Sequence, residues 1–337
     1  MIKNISKEQY TKVWKVCNGS PLESWQWGEF KSHNWKIERY GFYIEGSISG
    51  CVTLFIKKFP FSFLTNLLGY NSFAYIPRGF PVNDSKNINS FLKELDDFIK
   101  MKKFAFVVLD PGLNLLDKRW NGNFKNALKL NGWNENGTTI QPNQTNIISL
   151  SESEGEIFSN MKPKWKRNIN KAKRHGVKVN ELKDDNAISR FYEIISDVSK
   201  NTDFKIHSKE YFSDMWENLK VDNLVRIFIA EADNKLLASY LILTSKNSAC
   251  EIYGGANKAG RDLEAGYLLK WEIMKQMKKE GKLYYDQWGV APKDDLKHPL
   301  SGITYFKEGF GGEFVQFLPQ YAKVKSKFLF GLFKLKF

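Results

Sequence analysis

Two short stretches hold the residue types best suited to chemistry: Tyr284-Tyr285-Asp286-Gln287-Trp288-Gly289 and Phe306-Lys307-Glu308-Gly309-Phe310-Gly311-Gly312. The first reads as a buried strand ending in an acid, an aromatic and a glycine. The second follows a loop and sets a lysine between aromatic residues and a run of glycines. Glycines beside aromatics let the backbone approach a ligand while flat rings wall the pocket. A lysine held in such a wall can steady the negative charge that develops on a carbonyl oxygen in acyl transfer. Each residue alone reads more readily as part of an aromatic core and a bulged strand; the combination points to a site.

Other stretches carry charge. Residues 161–178 hold eight lysines and arginines and no acid. Arg167, Lys171, Arg174 and Lys178 recur at three- and four-residue spacing, one cationic stripe on a helix whose like charges repel unless an anion neutralises them. With Trp165 interleaved and no counter-charge in the segment, Lys164, Lys166, Arg167, Lys171 and Arg174 become candidate RNA or phosphate contacts rather than a solvated face. In Tyr75-Ile76-Pro77-Arg78-Gly79 an arginine stands at a proline-fixed turn, placed either to fork onto a phosphate or carboxylate or to brace the loop against Asp84 or Asp110. Trp25, Trp27, Lys31 and Trp35 form an aromatic-basic cluster, either a stacking wall with a phosphate-binding lysine or core tryptophans with a snorkelling one. Residues 254–261 read as a glycine-bearing loop at a helix N-terminus, an anion site by geometry. The loop lacks the Q/RxxGxG/A pattern with which acetyl-CoA enzymes hold pyrophosphate. The segment KVKSKFLFGLFKLKF at 323–337 either packs as a strand or helix or lies on anionic lipid.

The elements that must position these residues alternate. Ser6 caps a first helix and Trp25–Ser32 forms a second; strands follow at Lys36–Glu45 and Ser49–Lys57 around a Gly46 turn. Residues 58–73 are apolar and turn-rich. Asn83 or Asp84 caps a helix to about Lys102, and Phe104–Leu109 is an all-apolar buried strand. Residues 130–146 read as a crossing between domains. Helices are then expected at Glu154–Lys173, Asp185–Val198, Ser208–Leu219 and Glu264–Lys279. Strands are expected near Val177 and at Leu224–Ala232, Leu236–Ser245, Ala249–Tyr253, Leu283–Trp288 and Phe314–Phe317. This order resembles a GNAT-type acyltransferase, and its appearing twice implies a duplicated α/β (α+β) architecture of mixed central sheets flanked by helices.

Bulk composition narrows the class. The chain has 337 residues, 42% of them hydrophobic and 15% aromatic, which fits two folded domains. Its net charge of +14 points to polyanionic partners such as nucleic acid, phosphorylated substrates or an anionic membrane surface. Three isolated cysteines without CxxC spacing and four scattered histidines argue against a disulfide framework and a metal site. No apolar leader or membrane-spanning stretch is visible, so the expected location is the cytoplasm.

Taken together, WQWGEFK, YIPRGFPVND, VVLDP, IQPNQT, MKPKWKRNINKAKRHGV, YGGANKAGRDLEAGYLLKWEIM, YYDQWGVAP and HPLSGITYFKEGFGGEFV resemble the Fem family (FemA, FemB, FemX) of nonribosomal peptidyltransferases. They run through nearly the whole chain in the family's order. The resemblance implies two GNAT-like domains, 1–147 with 318–337 for the acceptor precursor and 148–317 for aminoacyl-tRNA. No segment is long enough for the coiled-coil arm of the FemA type, so the compact FemX type is the nearer likeness. The implied reaction moves an amino acid from aminoacyl-tRNA to the stem peptide of lipid II or UDP-MurNAc-pentapeptide, by a monomer, without cofactor, with peripheral contact at the inner membrane face. Carried over by motif, Lys31 would meet the acceptor diphosphate, and His207, four residues before Tyr211, stands where the family has a second basic contact. Asp110 matches an acid at the acceptor site and Tyr253 a tyrosine lining it, with Trp35, Tyr75 and Arg78 nearby in the same motifs. Phe306 and Lys307 match the pair beside the tRNA 3′ end, with the lysine on the oxyanion. The competing expectations are a GNAT-type enzyme using an acyl-CoA donor and a non-catalytic basic protein binding RNA or membrane.

Overall fold

Local signals start the chain. The computed structural model describes residues 1–60, 65, 67, 69–112, 123–137, 139–200, 205–293, 295 and 297–334. After β1 (Ile2–Asn4), Ser6 and Gln9 form a reciprocal capping box that opens α1 (Lys7–Val16), and Ser24 caps α2 (Trp25–Lys31). β2 (Lys36–Ile44) and β3 (Ser47–Lys58) form a hairpin whose Glu45 and Gly46 both take positive φ, as a tight two-residue turn requires.

The chain divides into two units, Met1–Asn143 with Val315–Phe337, and Gln144–Phe314. The first continues through β4 (Ser72–Arg78), α3 (Ile88–Met101), β5 (Phe104–Pro111), α4 (Asn123–Leu130) and β6 (Asn134–Glu135). The second holds β7 (Gln144–Ser149), α5 (Glu154–Ser159), α6 (Pro163–Arg174), β8 (Lys178–Leu182), α7 (Ala187–Lys200) and α8 (Lys209–Leu219). It goes on through β9 (Val225–Ala232), β10 (Lys235–Thr244), β11 (Ser248–Ala256), α9 (Lys258–Asp262), α10 (Ala265–Lys279), β12 (Tyr284–Gly289) and α11 (Ser301–Glu308). The chain crosses back within β13 (Glu313–Gln316) and ends in β14 (Tyr321–Val324) and α12 (Lys327–Lys334).

Each unit is built on one mixed sheet, ordered β1-β2-β3-β4-β5-β14-β6 and β13-β7-β12-β11-β10-β9-β8. In each sheet a parallel pair, β4/β5 or β11/β12, is joined by a crossover helix, α3 or α10, while the other registered pairs are antiparallel. Every residue of β5 is buried, as a continuous apolar strand covered on both faces must be. The carboxyl ends of such parallel strands are where open α/β sheets place their ligands.

Two expectations fail. The helix expected over Glu154–Lys173 is two helices. Lys162 precedes Pro163 and is pushed out of the helical region, and its N–H goes to Gly309 O instead. The stretch expected as a glycine loop at 254–261 is the end of β11 followed by α9, whose cap is Asn257. Its glycines make room for the protein itself: a Cβ on Gly254 would lie 1.6 Å from the Tyr240 ring, and one on Gly260 would lie 2.0 Å from Leu237 O. Lys307, expected after a loop, stands on the last turn of α11, a helix not expected from the sequence. Of the apolar stretch 58–73, residues 61–64, 66 and 68 lie outside the described residues, as do the last three residues of the basic tail.

Candidate active site

In the second unit the parallel strands β11 and β12 pair only from Ser248 to Cys250 against Tyr284 to Asp286. Beyond that β12 bulges: its register against β7 slips between Asp286 and Gly289, and Trp288 adopts φ +61°. Asp286 holds this conformation by accepting from the Trp288 N–H (2.7 Å) and from the Thr145 hydroxyl. The bulge brings two successive carbonyls to one place, and Lys307 Nζ donates to both, to Gly289 O at 2.8 Å and Trp288 O at 3.4 Å. Lys307 is buried, so desolvation lowers its pKa from the usual lysine value, with Glu251 and Asp286 pulling the other way. An ammonium has three donors, and these two carbonyls take two of them.

Behind Lys307 lies a second buried lysine. Lys270 of α10 is fully buried; its Nζ donates to Gln287 Oε1 at 2.8 Å and pairs with Glu251 at 3.2 Å. Gln287 passes the contact on, donating to Asn146 Oδ1 at 2.6 Å and to the Lys307 carbonyl at 3.0 Å. Tyr285 donates to the other Glu251 oxygen at 2.7 Å. The Lys270 ammonium also lies under the rings of Phe306 (4.8 Å) and Phe310 (4.9 Å). Burial pushes its pKa down to about 8, against Glu251, which supports the charge, and with Lys307, which opposes it. Thus Phe306 and Lys307 are fixed from below by a cation, an acid and an amide in one chain of contacts.

The basic helix α6 is fastened to this same place. Trp165, expected as an interleaved stacking ring, is buried instead, and its indole N–H donates to Phe306 O at 2.9 Å. Gly309 is a glycine because a Cβ there would meet the Trp165 ring at 2.0 Å. The expected absence of counter-charge also fails: Lys171 pairs with Glu264 and Lys173 with Glu272, acids supplied by α10 and its cap. Lys166 donates to Ser159 O at 3.0 Å. Lys164, Arg167 and Arg174 are exposed on the helix.

The first unit gathers a second group at the carboxyl ends of β4 and β5. Tyr75 donates to Asp110 Oδ2 at 2.7 Å, Gln320 to Oδ1 at 2.7 Å, and the Gln141 N–H to Oδ2 at 3.2 Å. Burial raises the Asp110 pKa while those three donors lower it, and the net direction is up. Trp35 packs 6.3 Å from the Tyr75 ring. Arg78 lies over the Phe317 ring and donates to Pro142 O, which braces the loop, and its charge also lowers the Asp110 pKa. Lys31 Nζ sits over the rings of Phe30 (4.3 Å) and Trp27 (5.0 Å), an apolar stem with a half-exposed head. His207, Tyr211 and Tyr253 form their own cluster in the second unit. His207 stacks on Tyr211 at 3.8 Å and stands edge-on to Tyr253 at 6.3 Å, and Tyr211 and Tyr253 are hydrogen-bonded.

A model of the FemAB family matches residues 5–235 and 220–336. The chain belongs to the FemAB family. Among curated relatives, the lipid II:glycine glycyltransferase of Staphylococcus haemolyticus is 24% identical over 241 residues, covering 69% of this chain and 55% of the relative. The chain therefore spans about half the length of that relative. Among solved structures, the crystal structure of FemX superposes with a TM-score of 0.87 at 18% identity, covering 98% of this chain and 99% of that one. A tandem GNAT protein from the clavulanic acid biosynthesis pathway superposes at 0.53 with 9% identity, covering 96% and 98%. The fold is thus that of paired GNAT-like domains.

Motif spacing in this FemAB chain led to Phe306, Lys307, Asp110 and the tyrosines, but not to Lys270, Glu251, Gln287 or Asn146. For Lys270 a signal existed. Gly266, Ile273, Met274 and Met277 fall on its own stripe of α10, so a lysine stands where the helix faces the core. Its partner Glu251 sits on β11, nineteen residues earlier, and only the fold brings the two together.

Proposed function

We propose that this FemAB protein transfers an amino acid from an aminoacyl-tRNA to an amino group on the stem peptide of a peptidoglycan precursor, building an interpeptide bridge. The observation that carries this is the buried Lys307 ammonium, anchored by two bulge carbonyls on a helix bolted to a basic one. The acceptor amine attacks the ester carbonyl; a C–N bond forms, the ester C–O bond breaks, and the departing ribose oxygen takes the proton that the amine gives up. The remaining Lys307 N–H meets the oxyanion of the tetrahedral intermediate, the kind of fixed donor that acts most strongly where water is excluded. The ester is already activated, so direct attack needs no covalent enzyme intermediate. Phe306 lines the tRNA end, and Lys164, Arg167 and Arg174 of α6 meet its phosphates.

Asp110 orients the acceptor amine: three donors occupy it, which leaves one lone-pair position for an ammonium or amine. Lys31, Trp35, Tyr75, Arg78, His207, Tyr211 and Tyr253 make up the acceptor contacts. The staphylococcal relative is named for glycine transfer to lipid II, which supports a lipid-linked acceptor and work at the inner face of the membrane. No helix among the described residues is long and apolar enough to cross a membrane. The test is to incubate the protein with charged tRNAs and with soluble and lipid-linked precursors, then weigh the product. A mass gain of one amino-acid residue that requires charged tRNA is expected. Transfer from an acyl-CoA with none from tRNA would overturn the proposal in favour of an ordinary GNAT acyltransferase.

A further inference from the structure

One face of the first unit is both apolar and cationic, and of the residues named on it only Trp35 has a role described above. Helix α12 buries Leu329 and Phe333 and sets Phe330 and Phe333 against Phe106 at 5.1 and 5.0 Å. Its opposite face is apolar too: Phe328 and Leu332, one turn apart, are 67% and 51% exposed between Lys327 and Lys334. Just before the helix, Lys325 donates to the carbonyls of Ile99, Lys100 and Lys102, which ties α12 to the end of α3, where Met101 is 77% exposed. Beside Met101 opens a cavity of about 690 Å³ whose walls include Trp35, Lys36, Lys57, Lys58, Lys102 and Lys103. Against five lysines the lining carries one acid, Glu38, which pairs with Lys36 and Lys102. This is the opposite end of the sheet from Asp110, because Ser72 pairs with Phe104 here while Pro77 pairs with Asp110 there.

We propose that this face docks on an anionic lipid bilayer, with Phe328, Leu332 and Met101 entering the interface and the lysine-lined cavity taking lipid phosphate. It rests on the membrane-proximal reading given above and assigns the surface that makes the contact. Exposed apolar side chains flanked by lysines are the chemistry of interfacial binding, and basic groups near an anionic surface each strengthen it by about fivefold. A nucleic acid would use the lysines but gain nothing from Phe328, Leu332 and Met101.

Co-sedimentation of the full chain with vesicles, with no cell-wall precursor present, tests this. Binding is expected to phosphatidylcholine vesicles containing about one-third phosphatidylglycerol, and at least about tenfold weaker to phosphatidylcholine alone. Phe328→Ser with Leu332→Ser should weaken it at least about tenfold, and Lys57→Gln with Lys58→Gln by about fivefold per lysine. Replacing Lys164 and Arg167 on α6 should leave it unchanged. All six sites are at the surface, and unaltered melting temperatures confirm folding. No preference for anionic vesicles, wild-type binding by the Phe328/Leu332 variant, or equal loss in the α6 variant would each overturn the proposal. So would loss of tRNA affinity, rather than vesicle affinity, in the face variants. Vesicle binding with no transfer from charged tRNA to either a soluble or a lipid-linked precursor would sink the enzymatic reading and leave this one standing.

Discussion

Two lysines, Lys270 and Lys307, carry positive charge into one apolar region, with Glu251 as their shared support. Removing one partner of a buried pair leaves the other uncompensated, whereas removing both can be nearly neutral. Lys270→Met is therefore expected to cost about 3–5 kcal/mol in denaturant unfolding, and Lys270→Met with Glu251→Gln to recover most of it. If the double variant is as unstable as the single, Glu251 is not the group that balances Lys270. Both lysines have folded-state pKa values below their unfolded ones. The charged Lys270 carries its full burial penalty below pH about 8, and that penalty is relieved as pH rises towards the unfolded lysine value. The oxyanion role needs Lys307 protonated, so transfer should fall as pH rises through its lowered pKa. Removing the Lys270 charge should move that alkaline limb upward. A limb that stays in place in the Lys270→Met variant would show that the two ammonium groups do not feel each other.

At the scale of elements, the contact between α6 and α11 does the positioning. Gly309→Ala would drive a methyl into the Trp165 ring, at an expected cost of about 1–3 kcal/mol and with loss of transfer, because Trp165 holds the Phe306 carbonyl. Thermal unfolding and single-turnover rates check both; full activity would mean that α11 is held elsewhere. Replacing Lys164, Arg167 and Arg174 by alanine should weaken tRNA binding and flatten its logarithmic salt dependence by about 2–3. An unchanged slope would return α6 to an ordinary solvated face. Much here was legible in residue order: the capped helices, the Glu45-Gly46 hairpin and the all-apolar β5 follow from local rules. The break at Pro163 follows from a rule equally local. The misassigned glycines differ in kind, because what fills the space beside Gly254 is Tyr240, a ring on a neighbouring strand that no local pattern announces.

At the scale of the whole molecule, the same sheet plan serves twice. Each unit opens a parallel strand pair at its carboxyl ends, and each sets there a different kind of group: Tyr75 with Asp110 in one, Lys307 on its bulge carbonyls in the other. The family and the FemX-like fold are shown by comparison, and a division of labour between acid and lysine is what we propose on chemical grounds. Asp110 and Lys307 were legible as residue types in short motifs. Glu251 was not, and Lys270 and Gln287, though they stand in legible stretches, take their meaning from contacts across three elements. The most direct measurement is single-turnover transfer by the Lys307→Met variant beside its affinity for the acceptor. A rate lower by about 100-fold or more, with affinity within about threefold, is expected for a donor that acts on the oxyanion alone. Equal losses in both, or an unchanged rate, would contradict it.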